Sequence, residues 1–422
     1  MNSSRRGSGY RILIVSGSHG FSPTQLRIAR VKELAKGLAD RGATVHVLLL
    51  VEKPLTEAEE ERAHSLKAHC EEVQFIQHPV DTSSFYRVWL QAEDVFSERI
   101  MRRPQSAGKG RYCPPQLMRL LRSDYVPRNF CSVIACGSHF ARTLSCFDQW
   151  TLKLLDLPYV ASDIHASHRR GGRGEVLACF ADPAVELELL QHANLVLVRS
   201  QQDAMLLRQG GFLKDFVHAP IPLPFDEMEV SPRHLQVNPH RPRVLCVASD
   251  TAANLDGLRW FRRHVFPRLL QAVPTCRLRL IGESARHIEA GPGVDRVGWI
   301  ESLDREYELA SVVALPLRMG SGFHRRALEA LSAGRTLVTT TIGAAGLPIT
   351  PLQDAIISDD PGVLATETAK ALTTDDLRLE YGHCGRIAVA KQFDSIQAMA
   401  SICRVLGLPA VPQYQRLEPV LA

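Results

Sequence analysis

Residues 320–334 read GSGFHRRALEALSAG, and their types and spacing suit the binding of a phosphorylated ligand. Gly320, Ser321 and Gly322 form a turn in which glycine admits positive φ and close backbone approach. A helix begins directly after it, and the free N–H groups of a first helical turn attract anions. His324, Arg325 and Arg326 fall in that same turn. Cations there oppose the helix dipole, a local conflict that a bound anion would remove. Arg318 stands just ahead of the turn, and a guanidinium matches phosphate geometry. Glu329 follows Arg326 by three residues, so both project from one helical face. A carboxylate there suits ribose hydroxyls beside a diphosphate. A surface ion pair of Arg326 with Glu329 over an ordinary turn would use the same residues.

Three other stretches carry candidate chemistry. YVASDIHASHRRGGRGE (159–175) holds Asp163, His165 and His168 behind a strand pattern, with Arg169, Arg170 and Arg173 among glycines. It reads either as a solvated basic loop or as an anion-grasping lid. SGSHGFSPTQLRIARV (16–31) places Gly17 and Gly20 in a turn after the first strand. It lacks both the G-x-G-x-x-G spacing and a following G-K-[ST], which speaks against a dinucleotide fingerprint and a P-loop. Residues 101–128 hold seven Lys or Arg against Asp124, with Leu117, Met118, Leu120 and Leu121 among them. That is a solvated insertion with one buried helix face, or a basic amphipathic helix on an anionic membrane surface.

The elements that would position these residues alternate. YRILIVSGS is a buried apolar strand, residues 24–41 form a helix with Leu26, Val31, Leu34, Ala35 and Leu38 on one face, and GATVHVLLLV is the next strand. Together they make one right-handed βαβ unit. The spacing predicts further strands at VQFI (73–76), SVIAC (132–136), PYVAS (158–162), NLVLVRS (194–200) and DFVHA (215–219), with a short helix over 115–122. A polar, proline-bearing linker, MEVSPRHLQVNPHRP (228–242), precedes a second series. RVLCVAS, CRLRLIG, SVVALPL and TLVTTT are its strands, with helices such as 254–271 between them. The fold class is therefore α/β: two Rossmann-like doubly wound domains, 9–227 and 243–390, facing a cleft. Residues 391–422 form a C-terminal helix and tail that pack back toward the first domain. Ligands of open α/β sheets bind at the carboxyl ends of the strands, where the candidate stretches fall.

Composition sets the outer bounds. With 422 residues, 45% apolar and 23% charged, the chain can fill two or three full-sized cores. A net charge of +5 does not imply coating of nucleic acid, and no nucleic-acid partner is expected. The ten cysteines include no C-x-x-C pair, so they read as reduced thiols and not as a zinc site. No apolar run approaches the roughly 20 residues of a spanning helix. MNSSRRGSGY lacks the apolar core of a signal peptide. The expectation is a cytoplasmic protein, with peripheral contact to the inner face of the membrane through residues 101–128.

Taken in order, VASDTAANLDGLRWF, RVGWIESLDREYELA, the stretch from Pro316 to Gly334 and TTTIGAAGL resemble the carboxy-terminal half of a family 4 retaining glycosyltransferase with the GT-B fold, one of the glycosyl transferases group 1. Asn254, Asp256, Gly257, Leu258 and Phe261 match that family's Asn-x-Asp-Gly-Leu-x-x-Phe helix. Gly298, Trp299 and Ile300 match its glycine–aromatic–aliphatic segment. The resemblance implies a nucleotide-diphosphate sugar as co-substrate, no cofactor and no metal. It further implies hexosyltransferase-type transfer with retention to a glycan, lipid-linked or small-molecule acceptor, in cell-envelope or polysaccharide biosynthesis. On the same basis Glu329 would hold the ribose, and Arg326 would take the family's diphosphate-binding Lys position. Gly320, Ser321, Gly322 and Arg318 would lie about the donor, with Gly17 and Gly20 facing acceptor and donor phosphate. His165, with Asp163, would contact the transferred sugar. A sugar-nucleotide epimerase of the same fold is one alternative, though His165 and Asp163 are few for its acid–base chemistry; Ser321, where the family often has a first glutamate, keeps open a catalytically degenerate nucleotide-sugar-binding protein.

Overall fold

The computed structural model describes residues 9–17, 24–51, 65–77, 113–160, 183–219, 240–320, 324–393 and 395–409. Its first sheet contains β1 (Arg11–Gly17), β2 (Thr44–Val51), β3 (Glu72–Gln77), β4 (Ser132–Cys136), β5 (Leu152–Asp156), β6 (Leu195–Val198) and β7 (Phe216–His218). All are parallel, in the order β3-β2-β1-β4-β5-β6-β7. Parallel strands covered on both faces read as continuous apolar runs, and RILIVSG does so because each face has its own core. Ile12 and Ile14 pack with Val31, Leu34 and Leu38 of α1 (Thr24–Ala39). Leu13 and Val15 pack on the opposite face with Phe140 and Leu121. α2 (Pro115–Leu120), α3 (Pro183–Leu190) and α4 (Gln201–Gln209) are further α-helices of this half, and Ser138–Cys146 forms a 3-10 helix after β4.

The basic segment contributes to that core. Leu117, Met118, Leu121 and Tyr125 are buried along α2 and the π turn that follows it, while Arg119 and Arg122 are turned outward. The apolar face of the described part is thus occupied by the domain itself, and residues 101–112 lie outside the described residues.

The second sheet contains β8 (Arg243–Val247), β9 (Arg277–Ile281), β10 (Val294–Gly298), β11 (Val312–Leu315), β12 (Thr336–Thr339) and β13 (Ile356–Ile357), in the order β10-β9-β8-β11-β12-β13. Its helices are α5 (Ala252–Trp260), α6 (Phe266–Ala272), α7 (Asp304–Leu309), α8 (Arg325–Ser332), α9 (Pro361–Thr373) and α10 (Asp375–Phe393). The helix expected over 254–271 is α5 and α6 joined by a π turn at Phe261–Val265, just ahead of Pro267. The last helix, α11 (Ser395–Leu406), lies on the first domain, where Met399, Ile402, Cys403 and Leu406 join Ile12, Val31 and Leu197. Gly37 makes room for it, since a Cβ there would come within 2.7 Å of Met399.

Three strands differ from the sequence reading. The fifth is LKLLD, and the described residues of PYVAS, 158–160, are not in a strand. β5 pairs on both sides, with β4 and β6, and Pro158 has no N–H to give to such a ladder. β10 and β13 went unpredicted; β10 is a half-exposed edge strand and β13 spans two residues. The described cysteines are all free thiols. No described helix is long and apolar enough to cross a membrane.

Gly257 shows how closely the second domain is packed behind its site. A Cβ at that position would fall 2.1 Å from the Pro316 carbonyl oxygen, so α5 can lie on the segment leaving β11 only with glycine there. Gly257→Ala is expected to cost about 1–3 kcal/mol by overpacking. Thermal unfolding checks it, and an unchanged Tm would mean that helix and strand end are not so close.

Candidate functional site

Strand order in the second sheet reverses between β8 and β11, and open α/β sheets bind ligands at the carboxyl ends of such a pair. The turn after β8 is fixed by Asn254, whose Nδ2 donates to the Ser249 carbonyl at 3.0 Å and to Ser249 Oγ at 3.1 Å. Ser284 Oγ, from the turn after β9, donates to the same carbonyl at 2.5 Å. After β11 the chain passes Arg318, which lies 3.6 Å from Asp256 and over the Trp260 ring. It reaches Gly320 at φ 140°, a conformation that favours glycine. Thr340, just past β12, donates to the Leu317 carbonyl and so ties the TTTIGAAGL segment to this turn. α8 begins five residues beyond Gly320.

Glu329 sits in the second turn of α8 with its side chain 16% exposed. Its Oε1 accepts from Arg325 Nε at 2.9 Å. Its Oε2 accepts from Arg326 Nη1 at 2.5 Å and from the Tyr307 hydroxyl at 3.0 Å. The pairing of Arg326 with Glu329 is therefore present, but it is anchored to a buried tyrosine of α7 and is more than a surface contact. His324 differs from the sequence reading, which counted it among the cations. Burial pushes its imidazole down to about 4, against a hydrogen bond with the Ile342 backbone, so it is neutral at pH 7. The positive charge at this helix start comes from the two arginines.

The facing edge of the first sheet carries a second charged group. Asp156, the last residue of β5, is 1% exposed and accepts a forked pair from Arg30 of α1, Nη2 at 2.8 Å and Nε at 3.2 Å. Arg199, just after β6, approaches the same carboxylate at 3.5 Å. Burial would raise the Asp156 carboxyl, and the two guanidiniums outweigh it and hold it below its ordinary value. Glu33, one turn along α1, lies 4.0 Å from Arg30, and burial raises its carboxyl. The positive charge of Arg325 opposes that rise, which puts α1 of the first domain within electrostatic range of α8. Gly17 ends β1 on the other face of this edge. A Cβ there would meet the Phe140 ring at 2.5 Å and the Leu50 carbonyl at 2.8 Å, so its absent side chain is required by packing.

Residues 241–374 match the family model described as Glycosyl transferases group 1. The match lies in the second domain, which carries the β8/β11 edge. No curated protein matches the sequence. Similar solved structures include Anabaena HepE in complex with UDP and glucose, at 13% identity and a TM-score of 0.64 over 94% of this chain and 99% of that one. Sucrose-phosphate synthase from Thermosynechococcus elongatus has 15% identity and a TM-score of 0.62 over 94% and 98%. A glycosyltransferase from Rickettsia africae has 12% identity and a TM-score of 0.62 over 94% and 97%. At such identities the likeness is one of fold, and the fold is GT-B.

Within the matched stretch, the end of β11 and α8 bring Arg318, Gly320, Arg326 and Glu329 to one sheet edge. Ser321 and Gly322 lie outside the described residues, as do Gly20, Asp163 and His165. Sequence reasoning missed Tyr307 as a partner of Glu329 and missed the Arg30–Asp156–Arg199 group altogether. Tyr307 stands 22 positions from Glu329, and no local pattern signals that contact. Asp156 ending an apolar strand was a legible signal, once LKLLD is taken as the strand.

Proposed function

We propose that this glycosyltransferase-type enzyme binds a nucleoside-diphosphate sugar at the β8/β11 edge and transfers the sugar, with retention, to an acceptor held against the first domain. The observation that carries the reading is the half-buried Glu329 carboxylate, set with Arg326 on α8 at the switch point of the sheet that the glycosyl transferases group 1 model matches. Glu329 accepts the ribose hydroxyls. Arg326 and Arg318, with the N–H groups opening α8, face the diphosphate. As the glycosidic bond breaks, negative charge grows on the departing nucleoside diphosphate, and preorganised donors meet it without reorganising. We assign no metal to that task. Closure of the two domains over the donor excludes water that would otherwise hydrolyse it. Cell-envelope or polysaccharide biosynthesis is the setting we infer for the acceptor.

A panel of UDP- and GDP-sugars in thermal unfolding tests the reading. A ligand at about a hundredfold its Kd stabilises by about 2.7 kcal/mol, a rise of several degrees in Tm. Release of nucleoside diphosphate with candidate acceptors then identifies the transfer. If no nucleotide sugar raises the Tm, the donor site is wrongly assigned.

A further inference from the structure

Tyr307 is a polar group at the site that the reaction leaves without a task. Its side chain is 3% exposed and its ring packs in the core with Val313, Leu315, Leu328 and Leu331. The hydroxyl emerges from that core at Glu329 Oε2, 3.0 Å away, with the Arg326 guanidinium beside it. Burial, and then the adjoining Glu329 charge, push the hydroxyl well above its ordinary range, so the O–H stays protonated and donates to the carboxylate.

The other two donors to Glu329 are of a different kind. Arg325 and Arg326 have side chains 25% and 40% exposed, on long flexible stems. A diphosphate arriving at α8 competes with Glu329 for both guanidiniums. A carboxylate has about four lone-pair sites, and three are filled in the ligand-free arrangement. Turning the arginines to the phosphates vacates two of them, the number that vicinal ribose hydroxyls require. Tyr307 cannot follow, because its ring is fixed by packing.

We propose that Tyr307 is a positioning residue, whose buried hydroxyl holds the Glu329 carboxylate in the orientation that receives the donor ribose when Arg325 and Arg326 turn to the diphosphate. This rests on the donor-site reading above.

Tyr307→Phe in the full chain keeps the ring and removes only the hydroxyl. Binding of UDP and GDP is measured beside their 2′,3′-dideoxy analogues, which lack the hydroxyls in question. The variant should bind the better of UDP and GDP roughly tenfold more weakly, the scale of one hydrogen bond to a charged group. It should bind the matching dideoxy analogue as the parent does. An equal loss for both ligands, or a loss for neither, overturns the positioning role. Glu329→Gln separates the two levels of the argument. If it weakens nucleotide binding while Tyr307→Phe does not, the Tyr307 role alone is wrong; if it too has no effect, or if the parent binds neither nucleotide, the donor site itself is wrong.

Discussion

A Glu329→Gln chain is expected to bind its nucleotide sugar about a hundredfold more weakly than the parent while unfolding within a few degrees of it. Glutamine keeps the size and one carbonyl oxygen, so Tyr307 retains an acceptor and the packing of α8 is undisturbed. The lost charge takes with it the charge-assisted part of two ribose hydrogen bonds, together about 3 kcal/mol. That corresponds to about a hundredfold in Kd. The folded state loses two ion pairs whose arginines are partly solvated, and such pairs contribute about 1 kcal/mol or less each. Arg326→Ala should fall in the same range for binding, since it removes the cation facing the diphosphate. Titration calorimetry with the nucleotide sugar chosen by the thermal panel measures both. Parent-like binding by both variants would return Arg326 and Glu329 to the ordinary role of an ion pair over a turn.

Much of this site was legible because its signals are local. A glycine turn after an apolar strand, arginines in the next helical turn and a carboxylate three residues on are all read within one stretch of chain; the strand is β11 and the helix with its arginines and Glu329 is α8, while Ser321 and Gly322 lie outside the described residues. What escaped depends on distance in the chain or on burial. His324 is a cation by residue type and neutral by environment, a difference that only packing creates. Tyr307 belongs to a helix of six residues whose own sequence is mostly charged, and its importance arises where that helix meets α8. Among the strands, VDRVG in β10 carries two charged residues because it is an edge that water reaches, so apolar periodicity cannot find it. PYVAS misled for the opposite reason: it has strand-like residues, but Pro158 cannot sit between two paired neighbours.

The largest stability effect is expected from Asp156→Asn. Asp156 is the anion that Arg30 and Arg199 share at the carboxyl edge of the first sheet, and among the described residues asparagine would leave them Glu33 as the nearby carboxylate. Breaking a buried pair by removing one partner costs about 3–5 kcal/mol. For a domain of this size that is a fall in Tm on the order of 10 °C. The pH dependence carries a sign that identifies the cause. Asp156 has a folded-state pKa below its unfolded value of 3.8, so its contribution is complete above that value and is lost as the pH falls through the depressed one. Glu33 acts oppositely: its raised carboxyl favours the fold at low pH and ceases to do so as the pH rises. The informative quantity is therefore the gap in Tm between parent and Asp156→Asn. That gap should be wide at pH 7 and narrow as the pH is taken below 3.8, because the parent is then losing the charge that the variant never had. A gap that stays constant on acidification would mean that Asp156 supports the sheet edge by shape alone. The cluster also bears on the site, since α1 carries both Arg30 and Glu33, and Glu33 lies within range of Arg325. Loosening Asp156 should thus weaken nucleotide-sugar turnover more than nucleotide binding, because the donor residues stand on the other domain and only their approach to α1 is disturbed.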